Sequence, residues 1–501
     1  VRDDPAFRSP ALTVLAFLLA AAILIEWAPA LGPLHDPDLS PNRPFWHGSL
    51  LLCGAAIALA LRPSSTLRLL FLSACGTYNA LSLMPGINNH NFFTLIADLS
   101  IVAAALWTWA TTPGSGLPRR TFYRAVAPVL RAELLVLYFR AFFHKLNRDF
   151  FDPEVSCATV QLFQLSGSLP FVPTDDWARS LAMAGTLAVE LAIPVLLVIP
   201  RARWFGVLLG TGFHSLLAFN YPGFSALGFA FYSLFLPESS YDRLSSERRK
   251  NALAGLLPSA RGGRLFLEVC LFTATAAGLA AFYAQRLVLG FPKAGLAVAW
   301  GLALGLIVAL GFAPQADART GERRLLAMPA LAFWLLPAVV FLSGLAPHLG
   351  VKNVHAFAMF SNLRTGGGDS NHLLLPSGLQ VSNNLADVVR IRGSNDPVLD
   401  ALKHPSRENA FVLLPSPDPW LKAAGRQEFQ FDLPYLTLRT RVSELAALGA
   451  ENVHVAYERA GETKRVKNAE NDPELSEVSW LARKLMRLRA VPVSDRAPCM
   501  W

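Results

Sequence analysis

Tyr138 to Asp152 reads YFRAFFHKLNRDFFD. Its first part continues an apolar run that begins near residue 125, and its second part holds His144, Lys145, Asn147, Arg148 and Asp149. An apolar run of about 20 residues ending in charge is the pattern of a membrane-crossing helix meeting an interface. Lys145 at that boundary has two readings. In one, its butyl stem stays in the apolar layer and its ammonium snorkels to the headgroups. In the other it lies in a dry pocket, where desolvation disfavours the ammonium and leaves a neutral amine that acts as a base.

The chain around this stretch is of the same kind. Its 501 residues are 53% hydrophobic and 16% charged, against about 25% charge in soluble domains. Further apolar runs lie at 11–30, 46–61, 67–83, 92–111, 178–199, 203–220, 224–237, 265–284, 294–313 and 327–346. With 125–145 they give about 11 helices. The first run follows Arg2 and Arg8, and Ala28-Pro29-Ala30 imitates a signal-peptide cleavage site. Because so many spans follow, it reads as an uncleaved first helix. The net charge of +9 resides mostly in short loops between apolar runs, so it points to membrane orientation and not to nucleic acid. The five cysteines show no CxxC or Cys/His metal spacing, and no metal site is expected.

Loop charge sets the orientation. Arg62 and Arg68, then Arg119, Arg120 and Arg124, then Arg201 and Arg203, then the basic loop 238–264, then Arg319, Arg323 and Arg324 fill alternate loops. These define the cytoplasmic side. The opposite loops are poorer in Lys and Arg, and 146–177 carries Asp149, Asp152, Glu154, Asp175 and Asp176. The first residue is therefore expected inside and everything after about 347 outside. Cys157 and Cys499 are then the two cysteines outside, where oxidation is allowed, and a disulfide between them is possible.

The expected architecture is an all-α polytopic membrane bundle over 1–346, followed by a small α+β extracytoplasmic domain over 347–501. In the tail, 372–376, 387–391, 410–414 and 451–459 read as strands, and 432–449 and 473–488 as helices.

Polar groups inside membrane spans are functional candidates by default. His90 opens the fourth run and Lys145 closes the fifth, both at the outer end. His214 lies ten residues beyond Trp204, about 15 Å at 1.5 Å per residue, so at or past the midplane of a core about 30 Å thick. Asn220 lies further out, and Asn88 and Asn89 precede His90. Each has a plainer reading: His214 as a helix-packing histidine, Asn88 and Asn89 as a turn after Pro85-Gly86. Asp98 and Glu190 read as mid-membrane acids neutralised by Arg140 or by each other. Phe142, Phe143, Phe150 and Phe151 read as lipid-facing or packing residues. The shared depth of the two histidines, the lysine and the asparagines favours a site.

Three blocks carry a family resemblance: NNHNFFTLIADL (88–99), YFRAFFHKLNRDFF (138–151) and VELAIPVLLVIPRARWFGVLLGTGFHSLLAFNYPGFSALGF (189–229). In order and spacing they resemble the membrane domain of the vitamin K-dependent gamma-glutamyl carboxylases and their bacterial relatives, the horizontally transferred transmembrane (HTTM) domain family. HAFAMFSNLRTGGGDSNHLLLP (355–376) is similar to the strand pair that opens that family's extracytoplasmic domain. The resemblance implies an enzyme of a bacterial inner membrane. Lys145 matches the lysine that deprotonates reduced vitamin K, or a menaquinone-like quinol. The resulting anion reacts with O2 to give a strong alkoxide base and finally an epoxide. That base takes a gamma proton from a glutamate in a protein substrate, and the carbanion adds CO2. His90 matches the histidine tied to carboxylation, and His214 the Phe-His of the third block. Asn89, His144 and Asn220 are the residues expected to hold the quinol. The chain departs from the family pattern: His144 stands where the animal enzymes have a second lysine, and Phe142-Phe143 replaces the small residue after Ala. The tail holds nothing similar to a propeptide-recognition region. The rival from another class is a non-enzymatic protein that binds lipid or quinone and docks a partner through its tail. A transporter comes third, since no inverted repeat or pair of broken helices is visible.

Overall fold

This computed structural model describes residues 8–27, 44–242, 325–403 and 431–499, apart from 115, 170, 219, 220, 487, 494, 495, 497 and 498. The described chain is mostly helical, with one small antiparallel sheet. The helices before residue 243 are α1 (Pro10–Trp27), α2 (Pro44–Leu61), α3 (Thr66–Leu83), α4 (Asn89–Thr111), α5 (Arg119–His144), α6 (Cys157–Ser168), α7 (Asp176–Val198), α8 (Arg203–Leu217) and α9 (Pro222–Ser233). A 3₁₀ turn at Leu331–Trp334 leads into α10 (Leu335–Leu345). The expected runs 265–284 and 294–313 lie outside the described residues.

Among the described residues, α1, α4 and α7 are long and apolar enough to cross a membrane, not the full set of about 11. The physical reasons differ. α8 and α9 have 15 and 12 residues, about 22 Å and 18 Å at 1.5 Å per residue, short of a core about 30 Å thick. α5 has 26 residues, but Arg119, Arg120, Arg124, Arg131, Glu133 and Arg140 lower its hydropathy. It is nonetheless the central helix, packed against α1, α4, α7, α9 and α10. Around it, Leu61, Phe71, Trp109, Leu181 and Leu335 stand exposed on the outer faces. An apolar surface of that kind is costly in water and ordinary in lipid.

α6 was not expected, because 146–177 reads as a loop. It starts where Ser156 caps it, its hydroxyl accepting from the Ala158 N–H at 3.3 Å. α5 stops earlier in the chain, at His144. The Asn147 side chain donates to His144 O at 2.7 Å and accepts from the Phe150 N–H at 2.9 Å, satisfying groups that a longer helix would have paired.

The tail sheet has the order β4-β3-β1-β2-β5. The strands are β1 (Val388–Ser394), β2 (Phe431–Pro434), β3 (Val455–Arg459), β4 (Glu462–Val466) and β5 (Val491–Pro492). Alternation decides its faces. Val389 and Ile391 join Leu433 and Tyr457 in a core closed by Leu438 and Val442 of α12 (Tyr435–Ala447); α11 is the short helix Pro397–Ala401. Arg390 and Arg392 point outward to Asp432 and Glu458. Ala460 and Gly461, both with positive φ, make the two-residue β3–β4 turn. Thus 387–391 and 451–459 hold the expected strands. The expected strand at 372–376 is absent: His372 makes a single bridge to Asn147, and its ring accepts from the N–H groups of Leu374 and Leu375, turning the chain back. The expected helix at 473–488 is two, α13 (Pro473–Ser476) and α14 (Trp480–Leu485), each begun by its own cap, Asp472 and Ser479. The 410–414 run lies outside the described residues.

The loops sorted by charge gather at two ends of the helices. At one, Arg120 pairs with Glu238 at 3.1 Å and Asp242 at 2.9 Å, and Arg119 donates to Thr13 at 2.9 Å. At the other, 347–373 packs between the ends of α3, α4, α5 and α6. His355 Nε2 meets Ile87 O at 2.8 Å, and Asn362 Oδ1 accepts from the Cys157 N–H at 2.7 Å. The disulfide Cys157–Cys499 closes this end, with a Cα–Cα distance of 4.8 Å.

Candidate functional site

Lys145 follows the last residue of α5 and is 3% exposed. That excludes snorkelling. Its Nζ donates to Glu190 Oε1 of α7 at 2.9 Å, and to the carbonyls of Ala141 at 3.3 Å and Met359 at 3.4 Å. Glu190 is therefore the partner of Lys145 and not of Arg140 or Asp98. Arg140 instead lies 3.9 Å over the Phe341 ring. Asp98 faces α3, so close to Gly76 that a Cβ there would collide with its carboxylate.

The amine and carboxylate line a cavity between α5, α7, α8 and α9 whose empty space, open mouth included, is about 800 Å³. Most of the wall is apolar, with Phe93, Leu134, Leu137, Phe213, Phe224 and Phe231. Its other polar wall residues include Tyr138, His214, Gln161 and Thr186, and Tyr232 stands behind the wall. Tyr138 Oη of α5 lies 2.9 Å from His214 Nε2 of α8 and also bonds the Tyr232 hydroxyl of α9. His214 Nδ1 is buried and makes no hydrogen bond among the described residues. Gly210 is required here, because a Cβ would strike the Tyr232 ring.

Met359 and Phe360 close the cavity. They belong to a segment with four non-glycine residues in the left-handed region: His355 (φ 53°), Phe357 (55°), Phe360 (50°) and Asn362 (56°). Such positions each cost about 1–3 kcal/mol and persist only where surroundings over-determine them. Those surroundings include several residues read as site candidates. Asn89 Oδ1 accepts from the Phe357 N–H at 3.0 Å. His144 bridges Phe357 O at 3.1 Å and Gly344 O at 2.7 Å. Asn89 and His144 thus build the wall and do not line the cavity.

The structure brings together Lys145 and His214 but not His90. His90 Nε2 lies 2.7 Å from Glu26 Oε1 of α1, and its ring is 6.0 Å from Phe224. His214 lies on Phe224 too, at 5.1 Å, so that ring stands beside both histidines. Asn220 lies outside the described residues. Sequence reasoning missed Glu190 as the lysine's partner, and Tyr138 and Tyr232 altogether. The signal for Glu190 was its acid at mid-span; the tyrosines carried none, because aromatic residues are ordinary in such helices.

Chemically the lysine shell is satisfied in either of two states. With three protons Nζ donates to all three acceptors; with two it keeps both carbonyls and accepts from a protonated Glu190. The proton can pass along a 2.9 Å contact without solvent.

No protein-family model matches this chain, and it matches no curated protein and no solved structure. The likeness to the carboxylases rests on the residue blocks alone.

Proposed function

We propose that this chain is an integral membrane enzyme of the vitamin K-dependent carboxylase-like kind, whose cavity takes a reduced quinone. The observation that carries this reading is Lys145, buried beside a carboxylate in a cavity whose wall is mostly apolar. A flat, apolar ring with a hydroxyl suits that wall, and the polar groups are few enough to orient it. A quinol of the reduced vitamin K or menaquinone kind supplies an acidic ring hydroxyl and, with O2, the chemistry that ends in an epoxide. Lys145 takes the ring proton as its neutral amine, and Glu190 holds the proton that the amine gave up. Tyr138 and His214 offer a hydrogen-bonding pair on the same wall. The apolar residues exclude water, as a strong base formed there requires. Carboxylation of a glutamate in a protein substrate with CO2 is the later step that the resemblance offers, with His90 serving it from behind Phe224.

The same reading takes the helical part as a membrane bundle of about 11 spans, with the first residue inside and the tail outside, in a bacterial inner membrane. The gathered basic loops and the Cys157–Cys499 bridge at the opposite end support that orientation. The test uses purified protein in detergent with reduced vitamin K or menaquinone, following epoxide by chromatography. Wild type should form epoxide, and Lys145→Ala and Lys145→Arg should not, since a guanidinium keeps its proton. A second reading, a non-enzymatic quinone- or lipid-binding protein, is favoured by the complete hydrogen bonding of Lys145. It stands if wild type forms no epoxide from either quinol.

A further inference from the structure

The wall segment has a second face. Where Met359 and Phe360 line the lysine cavity, Ala358, Asn362 and Leu363 line another pocket, closed on the tail side by Val491 and Pro492 of β5. Two cations face it, Arg364 and Arg489, and no acid is among its described lining residues. Arg364 is engaged by Asp369 at 3.2 Å, on the exposed side. The Arg489 backbone is fixed on both sides by the Asn353 amide, at 2.7 Å through its N–H and 3.3 Å through its carbonyl. Its guanidinium has no hydrogen bond or ion pair among the described residues. The residue is half-buried, and burial pulls its guanidinium down to about 10.

A half-buried guanidinium that faces a pocket with no carboxylate among its described lining residues is open to an anion. We propose that Arg489, with Arg364 beside it, makes this pocket a binding site for an oxyanion, a carboxylate or phosphate group. The planar fork of a guanidinium matches the paired oxygens of such groups. Bound there, the anion would brace the strained 355–362 segment from the side opposite the lysine cavity. The site does not depend on the quinone reading.

The test is thermal unfolding of the full chain in detergent, at fixed ionic strength held with chloride. Sodium acetate and sodium phosphate are titrated separately. Wild type should gain several degrees in Tm with at least one of them, saturably; the stronger tells carboxylate from phosphate. Arg489→Met should lose the gain, and in chloride alone should be about as stable as wild type, because no ion pair or hydrogen bond of the side chain is lost among the described residues. Arg489→Lys, which keeps charge without the fork, should show a weaker gain and decides the matter if Arg489→Met does not fold. No saturable gain in wild type overturns the proposal. So does an equal gain in either variant, or an Arg489→Met protein much less stable in chloride, which would mean that the chain itself already pairs the guanidinium.

Discussion

At the scale of single residues, the Lys145–Glu190 pair decides most. Both charges are buried, so removing one leaves the other stranded at a cost of about 3–5 kcal/mol, whereas removing both restores most of it. Glu190→Gln and Lys145→Met should each lower the unfolding midpoint in detergent, and the double variant should recover most of the loss. Additive losses would mean that the two side chains do not interact. Tyr138→Phe tests the other polar wall. It removes the hydroxyl that joins His214 to Tyr232 but leaves the ring. Epoxide formation should fall about tenfold or more if this pair orients the quinol, roughly the worth of one hydrogen bond to a buried group. His90→Ala should leave epoxide formation in place and lower only carboxylation. Equal loss of both would put His90 in the proton-abstracting step after all.

At the scale of elements, the segment 355–362 and α6 matter most, since neither is held by periodicity. Asn362 sits at φ 56° and makes two bonds across to the start of α6, accepting from the Cys157 N–H and donating to Val155 O at 2.8 Å. Asn362→Ala loses both bonds and is strained, costing about 2–4 kcal/mol. Asn362→Gly keeps the backbone conformation and should cost less; the midpoint difference between the two isolates the strain. The disulfide ties the same place to the end of the tail. Cys157 and Cys499 should resist thiol alkylation until reduced, and Cys157→Ser should lower stability by about 2–4 kcal/mol. Alkylation of Cys157 in the unreduced, detergent-solubilised protein would show the bridge to be absent.

At the scale of the whole molecule, orientation and the junction between helices and tail are the open matters for experiment. A reporter active only outside the cytoplasm should be active when fused after Trp501 and silent in the loop 238–264; the reverse pattern overturns the proposed sidedness. The junction also carries a titratable group. Lys352 lies 5.0 Å over the Phe92 ring, and burial pulls its amine down to about 8, against about 10.4 in an unfolded chain. Between those values the unfolded chain binds more protons, so the Lys352 contribution makes stability rise with pH from about 8 to about 10. Lys352→Met should be the more stable protein at pH 7, and its advantage over wild type should shrink across that window.

Hydropathy alone marked the helices before residue 243 other than α6, because an apolar run is a local property. The alternation of Val389 and Ile391 with Arg390 and Arg392 likewise marked β1. Lys145 and His214 were legible as candidates, since charge and imidazole at membrane depth are costly wherever they occur. Their partners were not. Glu190 stands 45 residues from Lys145 along the chain, and only the packing of α7 on α5 chooses it over Arg140 or Asp98. Depth grouped His90 with Lys145 and His214, but depth fixes position along a helix axis and not direction around it; the ring of His90 meets Glu26 on α1 and stands behind Phe224. Asn89 and His144 became wall supports for a similar reason. Their acceptors and donors, Phe357 and Gly344, are backbone groups more than 190 residues away. The irregular segment that carries Phe357, with four left-handed residues and no repeat, leaves no periodic trace in sequence. Only the tertiary structure could place it between two pockets.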